Sequence, residues 1–398
     1  MDKVRCGVIG LGLMGASGHA WNLAKMIPDA EVVALCDNDP EHLESATQYV
    51  GPDCKLHLDY NELLENSDID AIVIATPNHL HRPIAEKAFA KGMHVFTEKP
   101  MAATREDCIA MIDAAEKSGL ILEVGLLCRY NPQFHQFVHL INDGAIGKLQ
   151  MMYCKEFRAP FQNLLIQYAH TLRTKSSQFA DSEDAARAAE EAKTEVSMEE
   201  QQGWWRMRDI SGGALVEKNC HHFDIFNWML NDEVRAKRVF ATGGKNVHKQ
   251  FEIIDHAWVT VDYENGVKGC LGLCFFAPWG EEVEWWAIGD KGKVELHLHK
   301  EEIHLITSWE HREVLRCKFP EPRELGHRGA RVELEEFIKH IKTGTKPYAN
   351  GWVGLRSVEI PIAAEKSIKV GVPVDIPDTP GAPVRATSEK SPFAEWPC

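Results

Sequence analysis

The sequence predicts an α/β protein with a doubly wound parallel sheet near the N-terminus, followed by a second α/β part built on an antiparallel sheet. Apolar strand patterns alternate with helical patterns over the first 127 residues, and a GxGxxG motif follows the first strand pattern. Closely spaced strand patterns with ENG and GDKG turns occupy residues 235–311. At 398 residues the chain exceeds the usual size of a single core, which favours two domains.

The composition excludes several classes of protein. The hydrophobic fraction of 44% and the charged fraction of 26% are typical of a globular protein. The net charge of -15, with no basic patch, argues against a nucleic-acid or anionic-membrane partner. No apolar run approaches the roughly 20 residues that span a bilayer, and MDKVRCGVIG enters a strand pattern without a signal peptide. With eleven scattered cysteines that suit a reducing compartment, we expect a cytoplasmic protein.

The glycine motif has the context of a dinucleotide-binding unit. Gly10, Gly12 and Gly15 follow a strand pattern at residues 4–9, and the next strand pattern ends at Asp37, 27 residues after Gly10. Gly10 permits a tight turn, Gly12 lets the backbone approach a pyrophosphate, and Gly15 lets the helix and strand pack closely.

Two further features of this unit concern the cofactor. The backbone at Leu13 and Met14, where the helix begins, offers N–H groups to the phosphates. Asp37 would accept hydrogen bonds from a ribose diol and repel a 2′-phosphate. The cofactor is therefore predicted to be NAD, and NADP is disfavoured.

Polar residues follow the next strand patterns of the same sheet. Because ligands bind at the carboxyl ends of parallel strands, position alone nominates them for the cofactor site. The nominated residues are Thr76, Asn78, His81, Glu98, Lys99 and Arg129. Lys99 stands out because a cationic nicotinamide and partial desolvation would lower its pKa toward the range useful for proton transfer.

Several motifs together resemble the Gfo/Idh/MocA family of oxidoreductases, from residue 4 to about residue 375. They are GLGLMG, the strand-terminal Asp37, ATPNHLH, TEKP, RYNP and GGALVEKNCHHFD. The resemblance implies a Rossmann domain at 1–127 and a C-terminal α/β domain at 128–376 with a large open, mostly antiparallel sheet. It also implies a homodimer or homotetramer, since that sheet often carries the oligomer interface in the family. The Pro-, Ser- and Thr-rich composition after Pro377 predicts an extended tail at 377–398.

The resemblance assigns roles to the TEKP motif. Lys99 is implied to belong to the catalytic group, with Glu98 helping to hold the nicotinamide end of the cofactor. The bond between Lys99 and Pro100 is expected to be cis, as it commonly is in the family.

The stretch VEKNCHHFD, residues 216–224, is predicted to lie on the first turns of a helix. Glu217 and His221 are four residues apart and share one helix face, with Asp224 close to it and His222 elsewhere. The family pattern here is Asp, three residues, His, two residues and Asp. Glu217 therefore replaces the family's Asp, whereas His221 and Asp224 match.

The implied mechanism is hydride transfer between nicotinamide and a carbinol carbon of a sugar, cyclitol or glycoside. His221 and Lys99 are candidates for the base that removes the hydroxyl proton, or for two ends of a relay. Glu217 would orient substrate hydroxyls or hold the histidine. Its extra methylene leaves an alternative open: a glycoside-cleaving enzyme that oxidises transiently, eliminates and returns the hydride without net NADH release.

The same stretch could also supply metal ligands, since Glu217 and His221 have the spacing of a ligand pair near Cys220 and His222. The resemblance favours no metal, because the family generally works without one. His222 is either a structural residue or a contact to substrate.

Residues 159–203 are rich in Ala, Glu and Lys and are predicted to form a helical excursion, which is a solvated face, an active-site cover or a subunit contact. Trp205 and Arg206 follow it and suit stacking on a sugar and hydrogen bonding to hydroxyls. The predicted substrate-binding residues are Tyr130, Trp205, Arg206, Glu217, His221 and His222. Two C-terminal helices are expected to pack against the antiparallel sheet, and the tail to be extended and docked on a neighbour.

Overall fold

Two β-sheets organise this computed structural model, which describes residues 3–65, 68–158, 203–277, 280–317, 329–383 and 386. Apart from Gly203, the predicted excursion lies outside the described residues. Among the described helices, none is long and apolar enough to cross a membrane.

The first sheet is parallel throughout, with strand order β3-β2-β1-β4-β5-β6 in the described part of the chain. Its strands are β1 (Val4–Ile9), β2 (Ala30–Cys36), β3 (Lys55–His57), β4 (Ala71–Ile74), β5 (His94–Glu98) and β6 (Leu122–Gly125). The central strands are almost continuously apolar and buried because helices cover both faces of the sheet. The predicted Rossmann topology is confirmed, and the carboxyl ends of the strands share one edge.

Helices alternate with these strands. A π-helical segment at Met14–Ala20 continues as α1 (Trp21–Lys25), followed by α2 (Pro40–Ala46), α3 (Tyr60–Leu64), α4 (His81–Ala90) and α5 (Arg105–Ser118). Side chains of Asp39, Asp59 and Thr104 accept hydrogen bonds from the first turns of α2, α3 and α5. These caps fix where the three helices begin.

The second sheet is mixed but mostly antiparallel, with order β14-β13-β12-β11-β7-β10-β9-β8-β15 among the described strands. Its strands are β7 (Leu149–Phe157), β8 (Ala236–Gly244), β9 (His256–Tyr263), β10 (Lys268–Cys274), β11 (Glu282–Gly289), β12 (Lys293–His297), β13 (Glu302–Ile306), β14 (Arg312–Arg316) and β15 (Val374–Asp375). The expected meander is interrupted, since β7 lies between β10 and β11 and runs parallel to β10. Local strand patterns could not show this pairing, because β7 precedes the excursion in the chain.

One face of the second sheet packs on α6 (Pro132–Asn142), on a longer helix at Ala214–Met229 and on the C-terminal helix described next. A short helix, α7 (Arg208–Ser211), precedes the helix at Ala214–Met229, which is α8. The other face exposes large apolar side chains, with Met151, Phe240 and Trp258 exposed by 53%, 38% and 50%. That face fits the expected oligomer interface, which stays a prediction.

The two C-terminal helices, α9 (Ala330–Thr343) and α10 (Gly351–Val370), differ from the expectation. Instead of covering the second sheet, α9 packs on the parallel sheet, where Phe337 contacts Phe96 at 5.6 Å between ring centroids. Helix α10 joins both cores, because Val353 packs with the first half of the chain and Ile360 with the second. The apolar face of a helix predicts that the face is buried, but it does not predict which sheet covers it. The expected packing partner was therefore wrong for α9.

The described part of the tail lies along its own chain. Arg105 donates to the Asp378 carbonyl at 3.2 Å, Arg235 pairs with the Asp378 carboxylate at 3.0 Å, and Arg356 donates to the Pro383 carbonyl at 2.8 Å. These contacts hold residues 377–383 against the same molecule, and docking of the tail on a neighbour stays a prediction.

Candidate functional site

The glycine turn has the geometry that a dinucleotide requires. Gly10 has φ +88°, and a Cβ there would lie 2.5 Å from the Ala75 carbonyl oxygen. A Cβ at Gly15 would lie 1.7 Å from the Gly10 carbonyl oxygen, so the helix could not approach the turn. A Cβ at Gly12, in contrast, would meet no heavy atom of the described residues within 4 Å. The turn is therefore closed on one side and open on the other, where a diphosphate can approach the backbone.

Asp37 is fixed beside this turn. Its Oδ2 accepts the Leu11 N–H at 2.6 Å, and its Oδ1 accepts the Asp39 N–H at 2.9 Å. The carboxylate is 9% exposed at the end of β2, and its role as a ribose ligand stays a prediction. Leu13 and Met14 lie in the first turn of the following helix, where the Ala16 N–H bonds to the Gly12 carbonyl at 2.9 Å.

The TEKP turn forms the next part of the site, and its Lys99–Pro100 peptide bond is cis, as predicted. Glu98 is 6% exposed, and its Oε2 accepts the Lys99 N–H at 3.0 Å. Its Oε1 lies 2.8 Å from Nε2 of His19, a residue that the sequence did not single out. Burial raises the pKa of Glu98, but His19 and Lys99 outweigh this effect and lower it below its usual value.

The Lys99 side chain reaches the second half of the chain. Its Nζ donates to Glu217 Oε1 at 2.8 Å and to the Glu217 carbonyl oxygen at 2.9 Å. Asn78 Nδ2 donates to the other Glu217 oxygen at 3.0 Å and to the Ser211 carbonyl at 2.9 Å. Asn78, expected to contact the cofactor, thus positions Glu217. The strand-end turns after β4 and β5 converge on the start of α8.

The charge state of Lys99 differs from the expectation. Burial lowers the pKa of Lys99, but the Glu217 carboxylate outweighs burial and raises the pKa above its ordinary value. The sequence argument considered nicotinamide charge and desolvation, and it did not include this ion pair. In the protein alone, Lys99 is therefore an ammonium group that donates hydrogen bonds.

Helix α8 carries the VEKNCHHFD residues, as predicted. It begins after Gly213, where Glu365 Oε1 accepts the Leu215 N–H at 3.1 Å and places a carboxylate at the helix N-terminus. Glu217 and His221 are partly exposed and lie one turn apart on the same face. That face is the side of α8 to which Lys99 is bound.

His222 lies on a different side of α8 from Glu217. It is 5% exposed and stacks on Trp285 with 5.1 Å between ring centroids. Its Nε2 lies 3.5 Å from Glu156, and burial lowers the pKa of the imidazole. These contacts favour the structural alternative for His222 over contact with substrate.

Arg129 is placed elsewhere than expected. It is 0% exposed, and its Nη2 lies 2.8 Å from Asp224 and 2.7 Å from Asp232. The structure assigns this guanidinium to a buried ion-pair cluster and not to the cofactor, which corrects the prediction. Asp224 belongs to the same cluster and not to the face formed by Glu217 and His221. A position after a strand end does not reveal the direction of a long side chain.

Tyr130 and His81 are also interior residues, each 0% exposed. The Tyr130 hydroxyl donates to Glu123 at 2.6 Å, so the predicted substrate contact is corrected. The His81 ring lies 3.0 Å from the Pro100 carbonyl oxygen and 2.9 Å from that of Thr76. The His81 ring thus connects the cis turn to the turn after β4. Its predicted role as a cofactor ligand is corrected to a positioning role.

Arg206 is enclosed by aromatic rings. It is 2% exposed, and its guanidinium carbon lies 4.4 Å from the centroid of Trp205 and 3.8 Å from that of Phe251. Burial lowers the pKa of Arg206 to about 10. Trp205 is partly buried against the core of the second sheet. The guanidinium therefore contacts rings of the segment before α7 and of Phe251, and the substrate-binding roles of Trp205 and Arg206 stay predictions.

The chain is similar to known proteins in family, sequence and structure. The Gfo/Idh/MocA descriptions "Oxidoreductase family, NAD-binding Rossmann fold" and "Oxidoreductase family, C-terminal alpha/beta domain" match residues 4–126 and 188–376. Scyllo-inositol 2-dehydrogenase (NAD(+)) of Bacillus subtilis is 25% identical over 381 residues, covering 94% of this chain and 96% of that protein. Myo-inositol 2-dehydrogenase of Thermotoga maritima is 26% identical over 384 residues, covering 92% and 96%.

Solved structures share the fold. The WlbA dehydrogenase from Bordetella pertussis, in complex with NADH and UDP-GlcNAcA, superposes with a TM-score of 0.74 at 21% identity, covering 95% of this chain and 99% of that one. An oxidoreductase domain protein from Kribbella flavida gives a TM-score of 0.75 at 22% identity, covering 95% and 100%. At these identities the likeness concerns the fold alone.

Proposed function

Because this chain belongs to the Gfo/Idh/MocA family of NAD-binding oxidoreductases, we propose that it is an NAD-dependent dehydrogenase acting on a secondary hydroxyl of a sugar or cyclitol. The names of the curated relatives, which are inositol dehydrogenases, support the cyclitol class. The observation that carries the proposal is the 2.8 Å contact between Lys99 and Glu217. It joins Lys99, from the first half of the chain, to the helix of the second half that carries Glu217 and His221, at the carboxyl edge of the parallel sheet.

The residues present fit the cofactor. The open side of Gly12 and the first helical turn suit the diphosphate, Asp37 suits the adenosine ribose, and Glu98 stands beside Lys99 at the nicotinamide end. Bound NAD would supply the hydride acceptor. Asp37 further favours NAD over NADP, because a buried carboxylate beside the glycine turn would repel a 2′-phosphate.

We assign different proton roles to Lys99 and His221. Lys99, held as an ammonium group by Glu217, donates a hydrogen bond to the reacting hydroxyl oxygen and orients it. His221, one helical turn after Glu217, accepts the hydroxyl proton, since histidine is the side chain most often used as a general base. Glu217 and Asn78 fix the position of the ammonium group.

The proposal is tested by incubating the protein and NAD with a panel of inositols and sugars and following NADH absorbance. NADH is expected with at least one of them. Lys99→Ala should lower kcat by about 10²- to 10⁴-fold while NADH affinity, measured by fluorescence, changes by less than about threefold. Lys91→Ala, which removes an exposed lysine paired with Glu65, is the matched control. Full turnover by Lys99→Ala would contradict the assignment.

The same assay separates the glycoside-cleaving alternative. That reaction returns the hydride to the product, so a glycoside would be consumed with no accumulation of NADH. Products are therefore quantified by chromatography beside the absorbance measurement. NADH formed in proportion to product supports the dehydrogenase.

A further inference from the structure

A second group of titratable residues lies directly behind Lys99. His19, Glu98 and Glu333 are 0%, 6% and 0% exposed, and one ligand atom of each lies within 4.8 Å of the others. Glu98 connects this group to the site, because it accepts hydrogen bonds from both His19 and the Lys99 N–H. Glu333 comes from α9, the helix that packs on the parallel sheet.

Glu333 differs from the other buried carboxyl groups nearby. Both of its oxygens are buried and have no hydrogen-bond partner among the described residues. Glu123, in contrast, accepts a hydrogen bond from Tyr130 at 2.6 Å and lies 3.0 Å from His340. A buried carboxylate without a donor is costly, and the cost rises beside a second carboxylate such as Glu98.

The surrounding charges point to a neutral acid. Burial raises the pKa of Glu333 well above its ordinary value, and the carboxylates of Glu98 and Glu123 raise it further. The titratable groups around it come from the glycine helix, the ends of β5 and β6 and the turn after β6. They are His19, Glu98, Glu123, Cys128 and Tyr130. The ammonium group of Lys99, whose backbone N–H bonds to Glu98, is paired with Glu217.

We propose that Glu333 is a positioning residue of the nicotinamide half of the site, kept as a neutral carboxylic acid so that Glu98 alone carries the negative charge there. Ionised Glu333 would repel Glu98 and weaken its hold on His19 and on the Lys99 peptide. Neutral Glu333 leaves the hydrogen bonds of Glu98 to His19 and to the Lys99 N–H intact. These bonds fix the turn that carries Lys99. The inference rests on the proposed function for the role of Lys99.

The same three residues could bind a divalent cation, but the hydrogen bonds favour a proton. Each Glu98 oxygen already accepts a hydrogen bond, one from His19 at 2.8 Å and one from the Lys99 N–H at 3.0 Å. A cation would have to compete with both donors. Metal content is therefore measured in the test below.

Two substitutions of Glu333 distinguish a neutral carboxylic acid from an ionised carboxylate at this position. Glu333→Gln keeps the shape and removes the ionisable group, whereas Glu333→Ala removes both. We expect NADH affinity to fall by less than about threefold in Glu333→Gln and by about tenfold or more in Glu333→Ala. The control is Glu335→Gln on the same helix, which removes an exposed carboxylate paired with Arg331 at 2.7 Å. Equal losses in the Gln and Ala variants would overturn the proposal.

A spectroscopic measurement tests the proton itself. In protein labelled with ¹³C at glutamate carboxyl carbons, NMR at about pH 8 should show a protonated carboxyl that is lost in Glu333→Gln and retained in Glu335→Gln. In Glu98→Gln, that carboxyl should ionise at lower pH, because the neighbouring charge is gone. Its absence from the native protein, or a stoichiometric metal lost in Glu333→Gln, would overturn the proposal. None of these measurements uses the substrate, so their failure is distinct from failure of the dehydrogenase assignment.

Discussion

The Lys99 ammonium group lies 2.8 Å from the Glu217 carboxylate, although 118 positions separate the two residues in the chain. The side chains are 17% and 12% exposed, so the pair is mostly withdrawn from solvent. One residue belongs to the cis turn after β5 and the other to the first turn of α8. The proton affinity of the lysine in one half is thus set by a carboxylate from the other.

Removing this carboxylate should change the alkaline limit of activity. Glu217 raises the pKa of Lys99, so Glu217→Gln lowers it. If Lys99 acts as an ammonium donor, activity is lost as pH rises through its pKa, and that loss should begin at lower pH in Glu217→Gln. The measurement is the pH profile of kcat/KM, with Glu233→Gln on the surface as control. A variant more active at neutral pH than the native protein would instead identify Lys99 as the base.

Cofactor choice should depend on Asp37. The native protein is expected to prefer NAD over NADP by at least about 100-fold in kcat/KM, because the carboxylate repels a 2′-phosphate. Asp37→Ser should reduce this preference below about tenfold. Asp53→Asn, an exposed change in the same half of the chain, serves as the control. An unchanged preference in Asp37→Ser would show that another group selects the cofactor.

Arg129 should matter for stability and not for cofactor binding. Arg129→Met leaves the carboxylates of Asp224 and Asp232 buried without their partner, which should lower the free energy of unfolding by about 3–5 kcal/mol. Arg82→Met breaks a more exposed ion pair and should cost about 1 kcal/mol or less. Both are measured by denaturant unfolding. A stable Arg129→Met protein with weakened NADH binding would restore the cofactor role expected from the sequence.

Acid stability should depend on Glu156. Burial raises its pKa, but His222 and Arg158 outweigh burial and lower it to about 2. A lowered pKa stabilises the fold above the unfolded value of 4.5, and this contribution is lost as pH falls from there toward about 2. The contribution is on the order of 3 kcal/mol, since one pKa unit corresponds to about 1.4 kcal/mol.

This dependence is read from unfolding free energies across the acid range. The difference between native protein and Glu156→Gln should shrink as pH falls through that window. The same comparison with Glu264→Gln, at an exposed position, should show little change. A constant difference for Glu156→Gln would contradict the expected pKa.

The parts of the site that are local in sequence could be predicted. The glycine turn and Asp37 each depend on a few neighbouring residues, and helical spacing placed Glu217 and His221 on one face. The cis turn was expected from the resemblance to the family, carried by the TEKP motif. Position after a strand was a weaker guide. It nominated Asn78 and Lys99, which do meet Glu217, but also Arg129, whose side chain points into a buried cluster.

Long-range packing explains the remaining differences. The sequence could not reveal the ion pair between Arg129 and Asp232, because no local pattern around Asp232 predicts that this residue is buried. His19 and Glu333 were missed since neither follows a strand. For Glu333 a signal exists, because it lies four positions before Phe337, on the side of α9 that carries apolar residues. A charge on an apolar helix face indicates a buried carboxyl, but not which neighbours it meets.

The packing of α9 on the parallel sheet determines whether the N-terminal half of this protein can be produced as a separate fragment. Leu334, Phe337 and Ile338 complete an apolar layer whose other members come from the strands and helices of the N-terminal half. A fragment ending at residue 127 would expose that layer to water and lose the helix that closes it. Excision of the nucleotide-binding half would therefore yield an aggregation-prone fragment, and autonomy of the two halves is not a property of this architecture.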